Sequence, residues 1–431
     1  MVQGTSFEND LNALALLALV ASGREEYRPL VAEYAQKVAE CQPGPGFPES
    51  WEYAYNTLFL AEYALATKDE AVMAGLRRSA LAIACGASGV GTWGHRFAQP
   101  NGNLYGYGCM NQPGIPLTLA MVLAREAGVK DPDLDKTSAR ASGFLRQWVN
   151  RGAIPYGDHE PWPWHDDNGK CSGAAVLFDR LGDREAAAFY SRMGTAAYAE
   201  RESGHTGNFF NILWALPGVS RGGPAATAAY FKETSWYCDL ARGWDGRCEY
   251  VGFPGEDSYD GWDCTGACLL GYALPLKSLY LTGRRPGAAP VLSPTDVAET
   301  IAAGRGFTFQ NAERKVWYAE RKSETLLAGL SSWSPAVRTR SSQKPRSTSR
   351  ASTWAASARV RRSPLASRAP WRRSPHSSAS AGDSSSPSGW SAAPRASSAC
   401  SPAAVSRKRR TSAVRSAGGR PSRSASPGGA W

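Results

Sequence analysis

The sequence predicts an all-α protein, an (α/α)6 toroid of helical hairpins. Three observations predict it. Apolar residues recur at helical spacing in twelve segments, the segments pair across short Gly, Asp and Pro turns, and the pairs return at intervals of roughly 40–60 residues.

The pairs follow in chain order. Residues 11–21 (LNALALLALVA) turn at SGREE into 27–41, and residues 56–66 (NTLFLAEYALA) turn at TKDE into 70–85. Residues 115–126 turn at AGVKD into 133–150, and 173–181 turn at GD into 184–200. Residues 208–216 turn at PGVSRGGP into 225–243. Residues 264–282 turn at GRRP into a weaker partner around 295–303. Each turn carries residues that stop one helix or cap the next. A linear solenoid keeps a stricter period, so closure into a ring is the better reading.

A hairpin begins and ends at the same end of such a ring. The short turns therefore line one rim, and the connections between hairpins line the other. Those connections are long: 42–55, 86–114, 151–172, 201–207 and 244–263. Long irregular loops in a compact domain are usually functional. Four of the five His (His95, His159, His165, His205) fall in them, with Trp93, Trp162, Trp164, Trp244 and Trp262. The loop-bearing rim is the expected site.

The chain changes character near Pro335. Residues 1–335 hold 30 Lys and Arg against 37 Asp and Glu, a net charge of −7, whereas residues 336–431 hold 19 against one, a net charge of +18. The whole-chain charge of +11 is thus a property of the tail, and nucleic-acid binding is not expected of the folded part. The tail has 26 Ser, a single Leu (Leu365) and no Ile, Phe, Tyr or Glu, too little apolar area to offset its ordering entropy. The expected organisation is a toroid over 1–305, a linker over 306–337 and a disordered Ser/Arg/Ala/Pro-rich tail over 338–431.

Eight of the nine Cys are scattered through the first part without a CxxC, which suits small buried hydrophobes better than a disulfide frame. No apolar run reaches the length of a membrane span, and residues 11–21, short and preceded by Glu8 and Asp10, do not read as a signal peptide. Localisation and the natural N-terminus stay open, and no motif specifies a cofactor or a metal set.

Four rim segments carry the chemistry. SGVGTWGH (88–95) is a glycine-rich turn in which Trp93 reads as a brace between helices, while His95 points the segment towards the open rim. YGDHEPWPWHDDNGKC (156–171) places Asp158, His159, His165, Asp166 and Asp167 around Trp162 and Trp164. Such groups serve acid/base work or metal ligation, though the spacing matches no zinc pattern and either Asp166 or Asp167 also suits a helix cap. GHTGNFFN (204–211) sets His205 before a helix with Asn208 and Asn211 on one face, a good site for a carboxylate or a developing oxyanion; Asn208 equally suits an N-cap. EDSYDGWDC (256–264) adds Tyr259, Trp262 and Asp263, with Asp263 alternatively a cap, and NLYGYGCMN (103–111) adds Tyr107 and Asn111.

Residues from about 5 to 285 resemble an uncharacterised bacterial family, of the kind found in planctomycetes, on the stretches GTWGH (91–95), IPYGDH (154–159), HDDNGKC (165–171), GHTGNFFN (204–211), LWALPGVSR (213–221) and GWDCTGA (261–267). The resemblance implies a toroid related in shape to terpenoid cyclases, prenyltransferases and six-hairpin glycosidases, followed by HEAT-type repeats. It implies no reaction. LLAGLSSWSPAVRTRS (326–341) is similar to the first half of a HEAT repeat, after which the pattern dissolves into Arg, Ser, Ala and Pro. A GC-rich gene read out of frame yields such text, so a frameshift is expected here, with a genuine basic tail binding nucleic acid or an anionic surface as the rival.

The first functional expectation is a carbohydrate-active enzyme. In a lyase version Asn208 and Asn211 neutralise a uronate carboxylate, His205 abstracts the α-proton, and Tyr107 or Tyr259 protonates the leaving oxygen. In a hydrolase version two of Asp158, Asp166, Asp257 and Asp263 act as acid and base. His159 is a further candidate. His95, Asn111, Trp162, Trp164 and Trp262 would hold a polysaccharide. The rivals are a non-catalytic module whose HEAT-like arm binds protein partners, and isoprenoid chemistry suggested by the GVGTW turn.

Overall fold

In a computed structural model, residues 6–41, 43–46, 49–106, 108–158, 160–161, 169–200, 209–250, 262–285 and 287–305 are described, all within the unit Met1–Gln343. The first ten described α-helices form five consecutive pairs: α1 (Ser6–Ser22) with α2 (Arg28–Glu40), α3 (Glu49–Thr67) with α4 (Met73–Cys85), and α5 (Asn111–Glu126) with α6 (Pro132–Arg146). There follow α7 (Lys170–Leu181) with α8 (Arg184–Ala196) and α9 (Phe209–Val219) with α10 (Pro224–Ala241), then α11 (Thr265–Tyr272) and α12 (Pro294–Arg305). The fold is all-α. Among the described residues the only β pairing is two isolated bridges, Arg242 with Cys248 and Glu249 with Asp263.

The turn chemistry explains the helix starts. Asp69, Asp131 and Asp183 precede α4, α6 and α8, and each side chain accepts a backbone N–H of the first turn it caps, from Ala71, Asp133 and Ala186. Pro132 and Pro224 open α6 and α10, where a missing N–H costs nothing. Gly182, at φ +78°, closes α7 in the left-handed conformation that glycine adopts freely.

Odd and even helices differ in what they bury. Along α5 every residue from Asn111 to Ala124 is buried, and α3 and α7 are nearly as enclosed. A helix enclosed on all sides belongs inside a larger assembly, whereas α4, α6 and α8 bury one face and expose the other. The odd helices pack in sequence: α1 on α3, then α5, α7, α9 and α11, with α11 returning to α1. That cycle of contacts is the one a closed ring of hairpins requires, so the toroid expectation is compatible with it.

The backbones approach closely where small residues meet. A Cβ on Gly194 of α8 or on Gly218 of α9 would collide with Ser172 of α7. This is the tightest point of the α7–α8–α9 corner.

Two boundaries and one pairing differ from expectation. α3 begins at Glu49, so half of the connection expected over 42–55 is helix. α11 stops at Tyr272 instead of reaching 282, because Pro275 denies a backbone donor and Lys277 adopts φ +49°. α12 does not pair with α11 as the hairpin pattern predicts. It packs on α8 and α10, where Arg192 of α8 holds Asp296 at 3.1 Å. The expected HEAT-like start and the tail lie outside the described residues. No described helix is long and apolar enough to cross a membrane.

Candidate functional site

At the loop-bearing rim the structure assembles an aromatic layer from the first turns of α3 and α9. Trp51 of α3, 2% exposed, stacks on Phe210 of α9 with centroids 4.8 Å apart. Phe210 also lies parallel to Tyr55 at 6.3 Å, and Trp214 donates its indole N–H to the Tyr55 hydroxyl at 3.3 Å. His95 joins this layer, since the Trp51 indole N–H donates to His95 Nδ1 at 3.1 Å and the Ser50 N–H to the His95 carbonyl at 3.1 Å. An indole only donates, so Nδ1 is the acceptor and the neutral ring carries its proton on Nε2.

Asn211 sits one residue beyond Phe210. It is 1% exposed, and its Nδ2 has no hydrogen-bond partner. A buried amide donor left unpaired costs about 1–3 kcal/mol, which native structures seldom tolerate without cause. Gly169, at φ +67°, makes its position possible: a Cβ there would strike the Phe210 carbonyl, Trp214 Cβ and Asn211 Cα. Only glycine lets the start of α7 come so near α9.

Other expected site residues have structural duties. Asn111 is buried and donates both amide hydrogens to backbone, to the Pro155 carbonyl at 3.0 Å and the Gly157 carbonyl at 2.9 Å, while its own N–H donates to the Tyr156 carbonyl at 2.9 Å. It clamps the 155–157 loop and has no amide hydrogen left over. Cys109 donates its thiol to Asn111 Oδ1 at 3.5 Å, and burial pushes that thiol up to about 12, so it stays protonated.

Asp263 is exposed and accepts the Thr265 N–H at 2.8 Å, one residue before Cys264, the N-cap of α11. Trp262 is half-buried against the core and Asp158 is exposed. Trp93, 1% exposed, donates its indole N–H to the Ile83 carbonyl at 3.0 Å and braces the turn to α4. Cys264 and Cys268 approach at 3.8 Å between sulfurs and are buried as packing residues. Among the described residues no group of three His, Cys, Asp or Glu is placed to hold a metal ion. His159, Asp166, His205, Tyr107, Tyr259, Trp162, Trp164 and Asn208 lie outside the described residues.

The opposite rim holds three buried charges that the sequence analysis missed. Glu62 of α3, 1% exposed, accepts the N–H groups of Tyr280 and Leu281 at 3.0 and 2.8 Å. Arg221, after α9, donates Nη2 to the carbonyls of the same two residues at 2.7 and 2.9 Å. Asp179 of α7 accepts the Ala289 N–H at 2.9 Å and faces Arg221 Nε at 3.6 Å. Gly287 is glycine because a Cβ there would collide with the Asp179 carboxyl. Burial pushes Glu62 up to about 7, against the two N–H donors and the Arg221 and Arg180 charges that lower it. One signal was available: each acid interrupts an apolar inner helix, Glu62 as the lone charge of NTLFLAEYALA (56–66) and Asp179 beside Arg180 in AAVLFDRL (174–181).

The described residues define an all-helical protein in which an aromatic layer joins the first turns of α3 and α9. The chain belongs to the family described as a domain of unknown function (DUF6288), whose model matches residues 3–283. No curated protein matches the chain, and no solved structure does.

Proposed function

We propose that this protein is a carbohydrate-active enzyme that binds an acidic polysaccharide at the loop-bearing rim and cleaves it by β-elimination. The observation that carries the reading is Asn211. Its Nδ2 is buried and unpaired, one residue after Phe210 at the start of α9. An unpaired amide donor suits a ligand that offers it a carboxylate oxygen. In this reading the ring of hairpins is a toroid of the six-hairpin glycosidase shape, in a bacterial protein with a HEAT-like arm.

The proposed step removes the proton α to the uronate carboxyl and takes it to His205. A carbon–carbon double bond forms as the bond to the leaving oxygen breaks, and Tyr107 or Tyr259 returns a proton to that oxygen. Asn211, with Asn208, stabilises the charge that develops on the carboxylate. A second reading, a non-catalytic binding module, draws on Asn111 and Asp263, whose polar atoms are taken up by backbone. No described feature favours isoprenoid chemistry, since Trp93 serves as a brace.

The test incubates the full chain with acidic and neutral polysaccharides, following unsaturated-uronate absorbance and reducing ends together, with His205→Ala as control. Absorbance that disappears in the control supports elimination. Reducing ends without absorbance replace it with hydrolysis by the Asp set. Saturable binding without cleavage moves the protein to the second reading, and no binding to any polysaccharide overturns both.

A further inference from the structure

The turn-bearing rim carries a second cleft, independent of the loop-bearing rim. A cavity of about 670 Å³ opens between the α9–α10 turn, the end of α11 and the segment 273–291 that crosses to α12. It exists because of the departure described above: α11 ends early at Tyr272 and α12 packs on α8 and α10 instead, so the crossing segment forms a wall. Its size is within the range of clefts that enclose small organic ligands, roughly 300–1,000 Å³.

The lining mixes two chemistries. Its apolar members include Phe231, Tyr272, Leu274 and Val291, and Tyr272, Leu274 and Val291 belong to the end of α11 and the segment after it. Val291 is 69% exposed and Tyr272 47% exposed, so these side chains line the opening without being covered. Its charged members are Arg221, Lys277 and Arg285, with Asp179 the single carboxylate in the lining. Three cations against one anion leave the cleft positive.

Arg221 is the decisive group. It is 8% exposed, and only Nη2 makes hydrogen bonds, to the Tyr280 and Leu281 carbonyls. Nε faces Asp179 at 3.6 Å without a hydrogen bond, and the second oxygen of Asp179 has no hydrogen-bond partner. A guanidinium has five N–H donors, and a buried one that uses so few of them lacks an acceptor. The clamp on residues 280–281 accounts for Nη2 alone. A structural role needs neither the cavity at the guanidinium nor two further cations at its mouth.

We propose that this cleft binds a small amphipathic anion, an apolar chain or ring bearing one carboxylate or phosphate group. The anionic group pairs with Arg221 inside the cleft and with Lys277 and Arg285 at its mouth. The apolar body lies along Phe231, Tyr272, Leu274 and Val291, displacing water from side chains otherwise exposed. Asp179 stays with Arg221 and excludes a second negative charge.

The test is calorimetric titration of the full chain with decanoate, decyl phosphate and decanol, each below its micelle concentration. Saturable binding is expected for at least one anion, with decanol at least about tenfold weaker, since it keeps the chain and loses the charge. The tighter anion identifies the head group. The double variant K277E/R285E changes exposed residues and is expected to weaken the anion by about tenfold, two surface charge contacts being removed and reversed. Added salt applied to the unaltered protein serves as a second readout, weakening the anion and sparing decanol. The proposal is overturned if no anion binds, if decanol binds as tightly as the anions, or if neither charge reversal nor salt alters the anion's affinity.

Discussion

The two rims use their polar residues in opposite ways. At the loop-bearing rim the sequence is crowded with Asn, Asp, His and Trp, yet Asn111 holds the 155–157 backbone and Asp263 accepts the Thr265 N–H before α11, while among the described residues there Asn211 Nδ2 and Ser50 Oγ are buried without a partner. At the turn-bearing rim the sequence shows little, and three charges are buried on one short stretch of backbone. Polar density in a loop marks where a chain must satisfy its own backbone as often as where it works on a ligand. An acid that interrupts an apolar helix is the rarer signal and the more tightly engaged one.

The largest effect that would break this contrast is at Arg221. Arg221→Ala leaves the Tyr280 and Leu281 carbonyls unpaired and Asp179 without its cation, and is expected to cost about 3–5 kcal/mol by denaturant unfolding. A loss under about 1 kcal/mol would show that the crossing segment holds itself in place.

The next effect depends on pH. The folded value for Glu62, about 7, lies above its unfolded 4.5, so the folded state holds the proton more tightly. Stability is therefore greatest below 4.5, falls as pH rises towards 7 and is level beyond, by at most ~3 kcal/mol. Glu62→Gln should flatten this part of the profile; an unchanged slope would assign it to other groups.

At the loop-bearing rim Asn111→Ala is expected to cost about 2 kcal/mol, two buried carbonyls losing their donors, with any polysaccharide affinity reduced only through the loop it holds. A large loss of affinity with unchanged stability would make Asn111 a ligand contact.

The hairpins were legible because each depends on neighbours in sequence: apolar spacing within the helix, and Asp69, Asp131, Asp183 or Gly182 at its end. Trp93 was legible as a brace for the same reason, its acceptor Ile83 lying only ten residues away. The final hairpin was not. The apolar run over 264–282 reads as one helix, and its interruption depends on Pro275, on the conformation of Lys277 and on a long-range anchor. That anchor joins Glu62 to Tyr280 across 218 residues, a pairing no local pattern reveals. The site was legible as a rim and as candidate residues, but Asn111 and Asn211 look alike in sequence. Only packing tells the amide clamped to backbone from the one left unpaired.

That distinction is the central claim, and Asn211→Leu tests it most directly. Leucine keeps the volume and removes the buried donor, so unfolding and polysaccharide cleavage are measured on the same variant. A donor held for a ligand predicts opposite signs: stability unchanged or raised by about 1 kcal/mol, and polysaccharide cleavage and binding largely lost. Lost stability with retained cleavage would make Asn211 a structural residue and remove the observation on which the proposed function rests.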